Sequence, residues 1–549
     1  MKIRTLLQLL LLTTLISGCA RVPLQIGFPT TIPLDEPFPE SIQSTPEDEP
    51  VVEEPETIDG DISFWIAPEI PDALRVIAEL LSTLEGVVIV EDEVDAEVRL
   101  EAGGDVPLAV WVYAVVEPFP RTRDSIDSDD LQAIWSTGQG YTEIYMSEST
   151  EAAIESILGI PSTEGVTVQA DAVDPEELWY SSAAMAIVPF EELDLRWKVL
   201  SIDENSPIHS DFDPAEYPLV VVYGLSGPGD AVRRIEGMLN WPAINRESQK
   251  LTVLTMTGTT AMARTTAARM MQYGVSYPAR DILPWLQEAD ILHISNEVSF
   301  LENCPTPDPL QIDLRFCSAP ENFGLLELIG ADVIELTGNH NMDWGEEAFL
   351  YSLELYEEMG VVTFGGGHTI MEAQQGVLVE HNGNHFLFLG CNRAGPESAW
   401  ADEDSPGAAP CDYDVLLPQI AAARAAGVIP IFTFQWYENS TISYAFREAA
   451  RAVVDAGAAI VSGSQAHQPL GFEFYGDGFI HFGLGNLFFD QMQSEELRRE
   501  LIDRYVIYDG RVISLELLTA TLEDYARPRP MVTWERELLL RDMFNMSGW

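Results

Sequence analysis

Five apolar runs in the second half of the chain each stop at residues able to carry chemistry. LTVLTMTG ends at Gly258, beside Thr259, and DILHISNE ends at Asn296 and Glu297. DVIELTGNH ends at Asn339 and His340, VIPIFTFQWYE at Gln435 and Glu438, and AAIVSGSQAH at His467. Apolar runs of this length, separated by amphipathic stretches long enough for helices, read as parallel strands of an α/β sheet. In such sheets ligand groups gather just beyond the carboxyl ends of the strands. The five segments are therefore predicted to aim oxygen and nitrogen ligands at one edge, the layout of a metal or phosphate site.

The 549 residues are too many for one ordinary domain and predict two or three. A hydrophobic share of 46% is enough to build real cores. The net charge is −60, and lysine occurs only at Lys2, Lys198 and Lys250. Such a surface repels nucleic acid, whose phosphates need Lys and Arg. It also repels a free polyanion unless a cation intervenes. The plain account of the charge is solubility or a salty habitat.

Lys2 and Arg4 precede the apolar run LLQLLLLTTLI, and Ser17, Gly18 and Cys19 follow it. The run is short for a bilayer span and has the layout of a signal peptide. Ile16-Ser17-Gly18-Cys19 resembles the lipobox of bacterial lipoproteins, which implies cleavage before Cys19 and lipidation of its sulfur. The expected address is the extracytoplasmic face of the cell membrane, held by a lipid anchor. An ordinary secretory signal is the alternative. Of the remaining cysteines, an even number in an exported protein predicts disulfides. Cys304–Cys317 and Cys391–Cys411 are the favoured pairs, because each brackets one Pro-rich or polar loop. A structural zinc site is the weaker reading, since no C-x-x-C spacing occurs.

After the signal segment 1–19, residues 20–60 are rich in Pro, Glu, Asp, Ser and Thr and read as an acidic, disordered tether. Residues 61–245 alternate strand-like and helix-like stretches and predict an α/β domain. LQAIWSTG and the later AMAIVPFEEL resemble segments of the type 2 periplasmic solute-binding fold, notably its phosphate- and molybdate-binding-like members. The acidic run around Asp124, Asp127, Asp129 and Asp130 lacks the glycine and terminal glutamate of an EF-hand loop. Asp127 or Ser128 is instead expected to cap the helix DDLQAIW. Residues 246–525 form the third region, with strand-like runs at 251–257, 291–295, 332–337, 361–364, 385–390, 428–434, 458–463 and 479–483. YVIYDGRVISLEL reads as a hairpin turning at Asp509-Gly510. Residues 526–549 read as a packing tail.

The amide oxygen of Asn339 and the imidazole of His340 are candidate metal ligands, with His340 alternatively an acid. Asp343 stands three residues on, placed to orient His340. His467 and Glu297 are further candidate ligands, and Gln435 and Glu438 candidate catalytic groups. Thr259, Asn296 and Asn486 are candidate substrate contacts; Asn486 reads equally as a loop-holding residue. Mixed His, Asn and carboxylate donors suit zinc, manganese or iron better than calcium. One or two ions could activate water and clamp a phosphoryl group. A lone histidine after a strand is more often a hydrogen-bonded structural residue. The glycine run Gly365–Gly367 is either an anion cradle or a tight loop. The case rests on joint placement at strand ends.

The order DILHISNEVSF, GADVIELTGNHNMDWG, FTFQWYE, DAGAAIVSGSQAHQP and FIHFGLGNLFFD resembles the CapA family of poly-γ-glutamate capsule synthesis proteins, within the calcineurin-like metallophosphoesterase superfamily. The resemblance covers about half the chain. It implies a four-layer αββα metallophosphoesterase-like domain, preceded here by the α/β solute-binding-like domain, with Glu297, Asn339, His340 and His467 as surviving site residues. Two departures stand out. The family's Gly-Asp at the first strand end is Gly258-Thr259, and its His-Trp-Gly-x-Glu at the fourth is Gln435-Trp436-Tyr437-Glu438. A lost bridging carboxylate and a lost imidazole leave a single ion, or none, as live outcomes. The resemblance implies a surface lipoprotein of capsule or cell-envelope polymer biosynthesis, working with a polymer or small anionic substrate beside other capsule-synthesis proteins. The alternatives are an extracellular phosphoesterase and a solute-binding lipoprotein on a non-catalytic scaffold.

Overall fold

Two twisted sheets lie face to face in the second region, and their strands come from the runs described above. In a computed structural model, residues 60–549 are described, apart from Tyr141 and Ser182. The signal-like segment with Cys19 and the acidic stretch before Gly60 lie outside the described residues. The first of the two sheets orders its strands Val362–Phe364, Val333–Glu335, Ile291–Asn296, Leu251–Thr260, Arg499–Tyr508, Arg511–Glu523 and Arg527–Pro530, with Asn486–Phe488 beside the end of Leu251–Thr260. The second runs Val377–His381, Asn384–Asn392, Ile429–Gln435, Ile460–Ser464, Gly478–His481 and Phe472–Tyr475.

Alternation along each strand sorts the side chains into layers. Leu254, Met256, Ile291 and Val333 of one sheet meet Phe386, Phe388, Ile431 and Ile460 of the other in a shared apolar core. On the outer face of the first sheet, Leu292, Ile294 and Ile334 pack against Met270, Leu326 and Tyr356 of its helices. On the outer face of the second, Leu389, Phe432 and Phe434 pack against Leu416, Ile420 and Ala450. The parallel neighbours Leu251–Thr260, Ile291–Asn296 and Val333–Glu335 end together, as do Asn384–Asn392, Ile429–Gln435 and Ile460–Ser464.

Glycine is required where backbones crowd at that edge. A Cβ at Gly258 would sit 2.2 Å from the Gly485 carbonyl oxygen, and one at Gly338 would sit 2.3 Å from the Glu297 Cα. The expected hairpin forms, with Tyr508 opposite Arg511. Asp509 and Gly510 both take positive φ, 49° and 77°, as a type I′ turn requires. Both favoured disulfides are present, Cys304–Cys317 and Cys391–Cys411. Gly366 and Gly367 pair with Gly407 and Ala408, so the glycine run spends its backbone groups on a tight ladder and not on an anion cradle.

The first region carries a nine-stranded mixed sheet. Its long strand Val106–Pro118 pairs through its first half with Val220–Ser226 and through its second with Ala184–Pro189, joining two lobes by one strand. The helix Ser128–Thr137 begins where expected, but Asp127 makes no side-chain cap bond. The cap comes from elsewhere in the chain: Asp203 Oδ1 accepts the Ser128 N–H at 3.0 Å. A carboxylate remote in sequence thus does the work expected of a local one.

The seam between the regions is extensive, and all described residues fall within one compact unit. Leu251, Val253, Val506, Tyr508 and Ile513 join the apolar core of the first region. Conversely, Phe119 of the first region inserts among Phe472, Phe474, Phe479, Phe544 and Trp549. The C-terminal residues form the edge strand Arg527–Pro530 and the helix Thr533–Ser547, whose Arg536 grips the Asp124 carboxylate with two N–H groups at 2.7 and 2.6 Å. Among the described residues no helix is long and apolar enough to cross a membrane.

Candidate functional site

The carboxyl ends of the two sheets meet on the side chain of Gln435. This residue ends the strand Ile429–Gln435 and is fully buried. Its Nε2 lies 3.0 Å from Asn339 Oδ1, 2.5 Å from Gln465 Oε1 and 3.3 Å from Glu297 Oε2. Its Oε1 accepts the Ser464 hydroxyl. Glu297 and Asn339 come from one sheet, Gln435, Ser464 and Gln465 from the other, so the cluster exists only because the sheets face each other.

Two imidazoles flank it, each tied at Nδ1. His340 Nδ1 lies 2.8 Å from Asp343 Oδ2, which also accepts the Phe316 backbone N–H at 2.8 Å. His467 Nδ1 lies 2.9 Å from Asn486 Oδ1, and the Asn486 amide donates back to the His467 carbonyl at 3.1 Å. An Nδ1–H held by an oxygen leaves Nε2 as the free, basic nitrogen. His467 Nε2 is 3.7 Å from Glu438 Oε1, a carboxylate 66% exposed at the rim. Burial by itself would lower the His340 imidazole. The Asp343 hydrogen bond and the charges of Glu297, Asp343 and Glu438 outweigh it and hold His340 above its ordinary value.

Aromatic rings fix both imidazoles. Phe316 lies 4.5 Å from the His340 ring and Phe489 5.4 Å from that of His467. The Arg264 guanidinium sits over both phenyl rings, 4.8 and 5.0 Å from their centroids, and pairs with Asp490. The Cys304–Cys317 disulfide closes the loop that delivers Phe316.

The structure thus brings together Glu297, Asn339, Gln435, His340 with Asp343, and His467 with Asn486 and Glu438. Thr259 is fully buried in this strand-end layer, paired with Asn486 and Ser295, and its hydroxyl has no partner. Asn296 turns away: its amide donates to the Val298 carbonyl and to the Tyr356 hydroxyl in the helix layer. Gln465 and Ser464 were not singled out by the sequence. Their only signal was their place two and three residues before His467. The positive φ of Gln465 and His467, 75° and 54°, bends the loop inward and is not written in the residue types.

A dinuclear metal centre does not fit this donor set. The first strand end offers the hydroxyl of Thr259 where a bridging carboxylate is needed, and the fourth offers an amide nitrogen. Among the described residues no three His, Cys, Asp or Glu side chains stand together as a ligand group.

Residues 253–491 match the family described as bacterial capsule synthesis protein PGA_cap. The chain is 27% identical over 309 residues to the capsule biosynthesis protein CapA of Bacillus anthracis, covering 55% of this chain and 74% of that protein. It is 24% identical over 261 residues to the PGA biosynthesis protein CapA of Bacillus subtilis strain 168, covering 46% of this chain and 68% of that protein. Among solved structures, the NAD nucleotidase of Haemophilus influenzae is similar at a TM-score of 0.31 and 9% identity, over 54% of this chain and 56% of that one. That likeness is slight, and the site stands on its own geometry. The match to the PGA_cap capsule synthesis family spans residues 253–491, the segment that holds the whole strand-end cluster.

Proposed function

We propose that this chain is a CapA-like, lipid-anchored protein of the extracytoplasmic membrane face that acts in the biosynthesis of poly-γ-glutamate or a related cell-envelope polymer. In this reading residues 246–525 are a metallophosphoesterase-like αββα domain whose original metal chemistry is degenerate, and residues 61–245 are a solute-binding-like domain fused to it. The observation that carries it is the pair of oriented imidazoles, His340 on Asp343 and His467 on Asn486, set around the buried Glu297 and the rim carboxylate Glu438. Two imidazoles oriented through Nδ1 can hold and pass a proton at a polymer amide or carboxyl group. The charge of −60 requires a counter-cation or a local cationic contact to admit a polyanion. The family match over residues 253–491 and the two disulfides support an extracytoplasmic role. The test replaces His340 and His467 together by alanine in the producing cell and measures cell-bound polymer at matched protein level. Loss of polymer is expected; an unchanged yield refutes the reading. Cys19→Ser is expected to release the protein from the membrane fraction.

A further inference from the structure

The Gln435 carboxamide has more acceptors than it can serve. A primary amide carries two hydrogens, yet Asn339 Oδ1, Gln465 Oε1 and Glu297 Oε2 all converge on its one nitrogen. The Glu297 carboxylate, an acceptor whichever way the neighbouring amides turn, sets the Gln435 nitrogen toward the cluster, and the Ser464 hydroxyl then donates to its oxygen. Close by, further oxygens are buried with no partner at all: Glu297 Oε1 and the hydroxyls of Thr259 and Thr260. Buried acceptors normally find donors, so such a concentration is a departure that needs a cause.

Oxygens of one carboxylate and two carboxamides, brought from separate loops and aimed at a single point, make the kind of cage that holds a hard cation. Here the point is filled by a nitrogen bonded to the chain. An ion would need the same oxygens at about 2.0–2.6 Å, so ion and nitrogen cannot occupy the place together. We infer that the Gln435 side chain is a built-in substitute for a cation: its NH2 group gathers Glu297, Asn339 and Gln465 across the two sheets and makes the strand-end site independent of metal. Gln435 is on this view a positioning residue. The inference rests on the strand-end cluster being the functional site, but concerns only what holds that cluster together.

A direct consequence follows for Gln435→Glu. It removes the two hydrogens and sets a second carboxylate against Glu297, leaving oxygens alone around the point. Two buried carboxylates repel unless a proton or a cation is shared between them. The empty variant should therefore be less stable than the parent and regain stability when a divalent ion fills the cage.

The test uses the full chain, stripped with chelator, and follows thermal unfolding with and without Mn2+, alongside metal content by mass spectrometry. The wild type is expected to carry no stoichiometric metal and to show no Mn2+ shift. Q435E is expected to melt several degrees lower and to recover with Mn2+, and the recovery should vanish in Q435E/E297Q. A wild type that binds one equivalent of Mn2+, with binding lost in E297Q, overturns the inference. So does a folded Q435E that is indifferent to Mn2+. Should Q435E fail to fold, Gln435→Met removes the donor without adding charge. It should lower the melting temperature irrespective of metal, and a Q435M as stable as wild type overturns the hub role. Polymer yield in the cell is a separate readout, so failure of the functional reading and failure of the amide hub are told apart.

Discussion

Replacing Phe119 by alanine is expected to weaken the chain as a whole and not only the region Phe119 comes from. Phe119 directly follows the long strand Val106–Pro118 and is 2% exposed. Its ring centroid lies 5.3 Å from Phe474, 5.5 Å from Phe479, 5.9 Å from Phe472 and from Trp549, and 6.1 Å from Phe544. Deleting a buried phenyl costs about 3–5 kcal/mol in transfer and cavity terms. Each edge-on aromatic pair contributes about 0.5–1.5 kcal/mol more. The five rings share one cavity, so these terms overlap and do not add. The expected loss is therefore near the top of the cavity range, about 4–5 kcal/mol. Phe119→Leu keeps most of the volume and should cost about 1.5 kcal/mol. Guanidinium unfolding followed by tryptophan fluorescence and circular dichroism reads both, and Trp549 reports from within the cluster. A single transition moving to lower denaturant for both probes is expected. A cost under about 1 kcal/mol, or loss of residues 61–245 alone with an unmoved transition for the rest, would refute the shared core.

Asp343→Asn should lower the titration midpoint of His340, because it removes a hydrogen-bonded carboxylate that holds the imidazole up; two-dimensional NMR of the ring protons measures it. At the seam, Glu516 lies 3.0 Å from His209 and holds that imidazole above its ordinary value against the effect of burial, while Glu516 itself is lowered against burial by His209 and Arg504. The histidine's share of stability is complete below about pH 6.5 and lost as pH rises through its raised value. The glutamate's share is complete above about pH 4.3 and lost as pH falls through its lowered value. His209→Gln should flatten the loss on the alkaline side in a stability–pH profile. Gly338→Ala would bring a methyl group within 2.3 Å of the Glu297 Cα and should cost about 1–3 kcal/mol while displacing Glu297, visible as a lower melting temperature. Opening the Cys391–Cys411 bridge by Cys391→Ser with Cys411→Ser, which frees a loop of sequence separation 20, should cost about 3 kcal/mol in denaturant unfolding.

The strands and their polar ends were legible because an apolar run bounded by helix-length stretches has few other uses. The Asp509-Gly510 turn was legible because its residues tolerate positive φ. The local pairing of Asp343 with His340 was legible from a spacing of three. Asn296 looked equally available beside Glu297, yet adjacent strand residues face opposite sides, and its partner is Tyr356 on a distant helix. The helix at Ser128 showed its start but not its cap, since Asp203 arrives from 75 residues away.

By itself the sequence determined which segments would be strands, which residues would stand at their ends, and how acidic the surface would be, because periodicity, glycine and charge act over a few residues at a time. Only the tertiary structure decided that Gln435 would meet Glu297, Asn339 and Gln465 at one nitrogen, and that Phe119 would fill a cavity built by residues 472–549. The reason is physical: those contacts cross between sheets and regions, and their distances are set by how the layers pack, which no local pattern in the chain encodes.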